Sequence, residues 1–226
     1  MIVTIDGYAG SGKSTAAARL AAALGFHLLN TGAMYRAVGV LLPRHGIDIF
    51  ADSRDVEHVG RSVRAWTFEM PEDAVLVNGE DVTALTRTED AGRAASRVGT
   101  FPEVREHLKS EQRRLAAGRD IVCEGRDQGT AVFPNAPVKF FFRASVETRA
   151  ERRVKELQAA VGAYPFEPRP GVRVYLSISA GVARFPVDGD TFQELLAAAD
   201  ERMYRDKATR RSRSSVRQPV LVQNRA

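Results

Sequence analysis

Eight residues near the amino end, Gly7-Tyr8-Ala9-Gly10-Ser11-Gly12-Lys13-Ser14, restrict this chain more than any others. They have the spacing of a phosphate loop, with four residues between the first glycine and the Gly-Lys-Ser end. The flanks agree. Ile2 to Ile5 predicts a buried strand, and Ser14 to Leu24 predicts an Ala/Leu-rich helix ended by Gly25. A strand, a glycine turn and a helix aim backbone N–H groups and the positive end of a helix dipole at one anion. Gly7, Gly10, Ser11, Gly12 and Thr15 would join Lys13 and Ser14 around the phosphates of a nucleotide, with Lys13 on the outer phosphates and Ser14 as a ligand of Mg²⁺. The alternative is an ordinary glycine-rich turn from strand to helix.

The rest of the chain reads as alternating strands and helices. Phe26–Asn30 predicts a second strand, followed by a helix from Thr31 that Pro43 stops. Ser53 to Arg61 predicts a short helix with Ser53 as its cap. Trp66–Glu69 and Ala74–Val77, with a tight turn at Asn78-Gly79, predict a small antiparallel sheet inserted into the α/β framework. Helices are expected over Glu89–Val98 and Pro102–Ala117. Ile121–Glu124 and Val138–Phe142 read as buried strands of a parallel sheet, and Val146–Ala160 as a charged helix. The fold class is therefore α/β, a parallel sheet with helices on both faces and ligands at the carboxyl ends of the strands.

Composition bounds the function classes. No apolar run approaches membrane-spanning length, and the chain enters its first strand at once, with no signal peptide expected. A single cysteine, Cys123, excludes an internal disulfide and fits a reducing cytoplasm. The four histidines are scattered without zinc-like spacing. The pI near 9.6 suggests nucleic acid until the charge is located. Residues 202–226 carry seven net positive charges out of a total of +5, which leaves the first 201 residues at −2. The basicity belongs to the tail, and a nucleic-acid role is not expected.

Several segments together resemble bacterial cytidylate kinase over residues 1 to about 157. They are Ile5-Asp6-Gly7, Leu29-Asn30-Thr31-Gly32-Ala33-Met34-Tyr35-Arg36, Ala94-Ala95-Ser96-Arg97-Val98, Phe101-Pro102-Glu103-Val104-Arg105, Glu124-Gly125-Arg126-Asp127-Gln128-Gly129-Thr130, and Ser145-Val146-Glu147-Thr148-Arg149-Ala150-Glu151-Arg152-Arg153. The resemblance implies a P-loop nucleoside monophosphate kinase that uses ATP and Mg²⁺ on CMP or dCMP. It implies that Arg36 and Arg126 hold the acceptor phosphate, for which the planar guanidinium fork is suited. It places Ser96, Arg105 and Asp127 at the cytosine edge, Thr31 and Tyr35 in the same pocket, and Arg149 and Arg153 on a mobile lid. Each has a plainer alternative: a surface ion pair for Arg36 and Arg126, a helix-surface or turn role for Ser96, Arg105 and Asp127, core for Tyr35, a solvated face for the lid arginines. Asn30 stands where the family more usually has Asp, and a neutral amide brings no negative charge to a metal.

The pattern breaks near Val161. Pro165, Pro168 and Pro170 read as a linker over 161–171. After it, Val172–Ile178, a Ser179-Ala180-Gly181 turn, a short strand to Phe185 and a helix from Thr191 to about Lys207 are expected, with a disordered basic tail over 212–226. Residues 172–211 resemble the carboxyl end of a GGDEF-type diguanylate cyclase domain without its signature turn, and Lys207 and Arg211 match basic positions of that family. Either this stretch is a passenger, which the residue-level match favours, or Val172–Ile178 pairs with the core sheet and replaces a lost strand. The domains are thus 1–160, with an insert at about 64–85, then 161–171, 172–211 and 212–226. The leading function is (d)CMP phosphorylation by a cytoplasmic monomer with CMP, dCMP and ATP as its partners and no membrane. The alternative is a non-catalytic nucleotide-binding or regulatory hybrid without a complete lid.

Overall fold

The computed structural model describes residues 1–50, 56–72 and 74–214. In chain order it contains β1 (Ile2–Gly7), α1 (Lys13–Leu24), β2 (His27–Asn30), α2 (Thr31–Arg44), α3 (Val56–Arg64), β3 (Phe68–Glu69), β4 (Leu76–Val77) and β5 (Glu80–Asp81). There follow α4 (Thr83–Thr86), α5 (Glu89–Val98), α6 (Pro102–Ala116), β6 (Ile121–Gly125), one π-helical turn (Gln128–Val132), β7 (Val138–Phe142), α7 (Val146–Ala163), β8 (Pro165–Arg169), β9 (Val172–Tyr175) and α8 (Phe192–Ser214). The chain divides into two units, Met1–Arg143 and Ala144–Ala226.

In the first unit four parallel strands lie in the order β2-β6-β1-β7. Side chains alternate between its faces, as strand geometry requires. Val3, Ile5 and Val122 form one core with Ala17 and Ala21 of α1. Ile121 and Cys123, from the same strand as Val122, join Met34, Val38 and Leu42 of α2 and Val104 and Leu108 of α6 in the larger core. Burial of Met34, Leu42 or Leu108 contributes about 1.5–3 kcal/mol each. Helix α2 crosses α5 closely: a Cβ on Gly39 would come within 2.6 Å of the Ala94 Cβ. The register aligns Asn30 with Glu124, Glu124 with Ile5, and Asp6 with Gly125, so the strand ends that carry the motifs share one edge.

The inserted sheet is present as β3-β4-β5, with Asn78 (φ 51) and Gly79 (φ 82) in its turn. Glu111 of α6 ties it down. Its Oε2 accepts from the Phe68 N–H at 2.9 Å and pairs with Arg114 Nη2 at 2.7 Å. Pro43 sits inside the last turn of α2, not beyond it. Ser53 lies outside the described residues.

Strand β7 corrects the sequence reading. It is an edge strand, and Phe140 and Phe141 are 46% and 55% exposed. Its apolar run suited a strand covered on both faces, but an edge position leaves side chains uncovered. Phe141 instead meets the Tyr8 ring edge-on at 6.0 Å, and the Arg143 guanidinium lies 5.6 Å from its ring centre.

The second unit holds α7, the β8-β9 hairpin and α8. The proline-rich stretch forms a strand of that hairpin. Pro170-Gly171 turns the chain, with Gly171 at φ +80, and Phe166 pairs opposite Val174. Strand β9 therefore pairs with β8, and the core sheet takes no strand from Val172–Ile178. Among the described residues, 176–191 hold no strand, and α8 continues to Ser214 where a disordered tail was expected. No residue from Ala144 to Arg210 is buried.

Candidate active site

The loop between β1 and α1 takes the shape its glycines permit. Gly10 and Gly12 adopt φ +74 and +91, a region in which a side chain is strained. Gly12 caps α1 without a side-chain hydrogen bond, and the first turn carries no acidic residue. The amides of Lys13, Ser14 and Thr15 therefore open the helix without a protein cap, which is the arrangement that attracts an anion. Ser11 is 5% exposed, and its Oγ has no partner among the described residues. A buried hydroxyl left in this way fits a loop built around a phosphate.

Glu124, at the end of β6, is the residue the sequence reading passed over. It is 4% exposed, accepts a hydrogen bond from Ser14 Oγ at 2.9 Å, and stands 3.9 Å from Lys13 Nζ. Its charge also acts on Arg36 of α2. Burial lowers the pKa of that guanidinium, and the Glu124 charge offsets part of the shift. Arg36 folds over the start of α2, where a Cβ on Gly32 would lie 3.3 Å from its Nη1. One carboxylate thus adjoins the loop lysine and the loop serine and acts on Arg36. Ser14 and Glu124 supply a hydroxyl and a carboxylate side by side, hard oxygen donors of the kind Mg²⁺ takes together with phosphate oxygens. The signal was available in the sequence, since Glu124 closes a buried strand before a glycine, but its partner lies 110 residues away.

The acceptor candidates gather around the turn that follows β6. Arg126 is exposed, and no hydrogen bond or ion pair holds it among the described residues. Asp127 pairs with Arg105 of α6 at 2.5 Å. Tyr35 belongs to the same group. Burial pushes its phenol up to about 12, the Arg105 charge opposes this, and Asp127 and Glu106 add to it. Tyr35, Arg105 and Asp127 thus lie together although they are far apart in sequence. Ser96 is exposed on α5 and donates to the Gly92 carbonyl at 3.2 Å. Thr31 is turned inward instead. It is 2% exposed, and its hydroxyl donates to the Glu124 carbonyl at 2.8 Å, which ties the start of α2 to the end of β6. Asn30 caps α2, its Oδ1 accepting from the Ala33 N–H at 3.1 Å, which explains why an amide suffices there.

Arg149 and Arg153 stand on α7 in the second unit. Arg153 pairs with Glu156 at 3.4 Å across one turn, an exposed local ion pair. Arg211 has a side chain outside the described residues. Cys123 is no nucleophile: burial and the nearby carboxylates of Asp6, Glu124 and Asp127 raise its thiol well above the ordinary range. No helix among the described residues is long and apolar enough to cross a membrane.

The first unit therefore combines a main-chain anion cradle, a carboxylate beside its serine, and guanidinium groups at neighbouring strand ends. Such a set can bind two phosphate-bearing ligands and stabilise charge between them. Comparison with known proteins agrees. A cytidylate kinase from Acinetobacter baumannii is 46% identical over 160 residues, covering 70% of this chain and 70% of its own. One from Aeromonas hydrophila is 41% identical over 157 residues, covering 70% and 68%. A crystal structure of a Thermus thermophilus protein aligns over 93% of this chain and 84% of its own at 22% identity. Its TM-score of 0.32 is too low to bear on the fold. The profile of the cytidylate kinase family matches residues 3–167, and the chain belongs to that family.

Proposed function

We infer that this chain transfers the γ-phosphoryl group of ATP to CMP, and that dCMP is accepted at the same site. An oxygen of the acceptor phosphate forms the new bond to the γ-phosphorus. The bond from that phosphorus to the β–γ bridging oxygen breaks, and ADP leaves with its electron pair. The chain's own work is positioning and charge stabilisation. The amides from Gly10 to Thr15 and Lys13 hold the donor phosphates. Arg36 and Arg126 hold the acceptor phosphate. Arg105, Asp127, Tyr35 and Ser96 read the base and sugar, and Arg149 and Arg153 act from the lid helix. Mg²⁺, when bound, reduces repulsion between phosphates, and Ser14 with Glu124 would hold it. The observation that carries this reading is the position of Glu124, one carboxylate that adjoins Lys13 and Ser14 and acts on Arg36. The enzyme works in the cytoplasm as a monomer.

An assay of ADP release with each nucleoside monophosphate in turn tests the reading. Turnover dependent on CMP, and abolished by Lys13→Ala, is the expected result. Nucleotide binding with no monophosphate-dependent turnover would make the chain a non-catalytic hybrid. An unchanged KM for CMP in Arg126→Ala would remove that residue from the acceptor site.

The chain also carries, in this reading, a kinase region over 1–160 with its insert at about 64–85, a connection over 161–171, a GGDEF-like remnant over 172–211 and a basic tail over 212–226. The absence of any buried residue over 144–210 supports a remnant without a core of its own. Limited proteolysis that removes 165–226 and leaves a folded, active amino-terminal fragment is expected. Loss of the fold on that cleavage would refute it.

A further inference from the structure

We propose that Asp6 is a positioning residue for the acceptor, its buried carboxylate locking the turn that carries Arg126 and Asp127 onto the root of the phosphate loop. The proposal rests on the assignment of Arg126 and Asp127 to the acceptor site.

Asp6 is 6% exposed and immediately precedes Gly7. Its Oδ1 accepts from the Gln128 N–H and its Oδ2 from the Gly129 N–H, both at 2.8 Å. A buried carboxylate is costly unless its oxygens are satisfied, and here backbone donors 122 and 123 residues away satisfy both. Hydrogen bonds to an ionised acceptor are about twice as strong as neutral ones. These two amides open the π-helical turn directly after Arg126-Asp127.

The surroundings leave the turn little freedom. A Cβ on Gly129 would lie 2.8 Å from Thr4 Oγ1 and 3.4 Å from Asp6 Oδ2. A Cβ on Gly125 would lie 2.6 Å from Gln128 Nε2. The Gln128 side chain is itself buried, accepting from Cys123 Sγ at 3.0 Å and donating to Thr31 Oγ1 at 3.4 Å. At the other end of the turn, Arg113 donates to the Ala131 carbonyl at 2.8 Å and the Val132 carbonyl at 3.0 Å. Asp6 thus fixes the near end of a turn whose far end is pinned separately. Arg126 and Asp127 stand at the near end. Strand β1 is held by backbone pairing to β6 and β7, so its own position does not depend on these bonds. Loss of the Asp6 bonds therefore displaces the acceptor turn and leaves the donor cradle in place.

Asp6→Asn tests this. The amide keeps the size but sets an N–H donor against one of the two backbone N–H groups. The KM for CMP should rise about tenfold or more and kcat should fall, since misplacement by about 1 Å costs roughly a hundredfold in rate. The Kd for ATP alone should change less than about threefold. In an Arg126→Ala background the effect of Asp6→Asn on the KM for CMP should shrink below about threefold, as expected of two residues acting through one contact. Equal losses toward ATP and CMP, or an undiminished effect in that background, would show a merely structural role and overturn the proposal. If Asp6→Asn does not fold, Gly129→Ala displaces the same turn without changing charge, and the same split is required of it. If the unaltered protein does not phosphorylate CMP, the activity assignment has failed independently. Hydrogen exchange then decides, because the Gln128 and Gly129 amides must exchange at least about tenfold faster in Asp6→Asn. Unchanged protection overturns the proposal.

Discussion

Replacing Glu124 by Gln should change two properties in opposite directions, and the structure sets the scale. The Glu124 carboxylate is 3.9 Å from Lys13 Nζ and accepts the Ser14 hydroxyl at 2.9 Å. At an effective dielectric constant of about 20, charges that far apart attract by about 4 kcal/mol before desolvation is counted. In the nucleotide-free protein that attraction competes with phosphate for Lys13. The amide removes the competition and the negative charge that an incoming polyanion would meet. Even if a third of the attraction is realised, ATP without metal should bind about tenfold more tightly, since 1.4 kcal/mol is one decade. The same change removes a carboxylate from the Mg²⁺ donor set, so kcat at limiting Mg²⁺ should fall by about a hundredfold or more, with a higher Mg²⁺ requirement. Calorimetric titration of ATP in a chelator, beside an Mg²⁺-dependence series of ADP release, measures both. Weaker metal-free binding in Glu124→Gln, or a kcat within threefold of the parent at every Mg²⁺ concentration, would refute the role given to Glu124.

Two further perturbations follow from packing and titration. A side chain at Gly39 meets Ala94 backbone atoms as well as its Cβ, at 2.8 and 2.6 Å, so Gly39→Ala must push α2 from α5. We expect about 1–3 kcal/mol of lost stability by denaturant unfolding, with a raised KM for CMP because α2 carries Arg36 and Tyr35. For Glu111, burial favours the neutral acid, but hydrogen bonds from Arg114 and the Phe68 N–H, together with the Arg114 charge, outweigh it and lower the pKa. The unfolded chain then binds the proton more readily than the native one, so the stabilisation is complete above the unfolded-state value near 4.5 and is lost as pH falls through the lower native value. Unfolding midpoints measured from pH 7 to 3 should show this decline, and Glu111→Gln should flatten it at a lower overall stability.

The residues that could be read in advance act locally. The phosphate loop, its flanking strand and helix, and the Asn78-Gly79 hairpin depend on backbone conformations that a few neighbouring residues dictate. Arg126 and Asp127 could be singled out in advance because they sit inside a contiguous motif. Where the reading failed, the deciding neighbour was remote. The Val138–Phe142 run looks the same whether a strand is central or at an edge, and only sheet order shows that Phe140 and Phe141 are exposed. Strand character in the proline-rich segment likewise depends on its pairing with β9. The hydrogen bond from the Thr31 hydroxyl to the Glu124 carbonyl also joins residues 93 positions apart.

Taken alone, the order of residues in this chain determined a parallel α/β framework, a main-chain anion cradle at Gly7–Ser14 and membership of a nucleotide-handling family. Tertiary structure decided the surroundings of two carboxylates, Asp6 and Glu124. Asp6 and Glu124 lie on adjacent parallel strands in register with Gly125 and Ile5; the amides that Asp6 accepts from, and the serine and lysine beside Glu124, lie more than a hundred residues away. A carboxylate's role depends on which donors surround it once water is excluded, and strand pairing brings those donors to it.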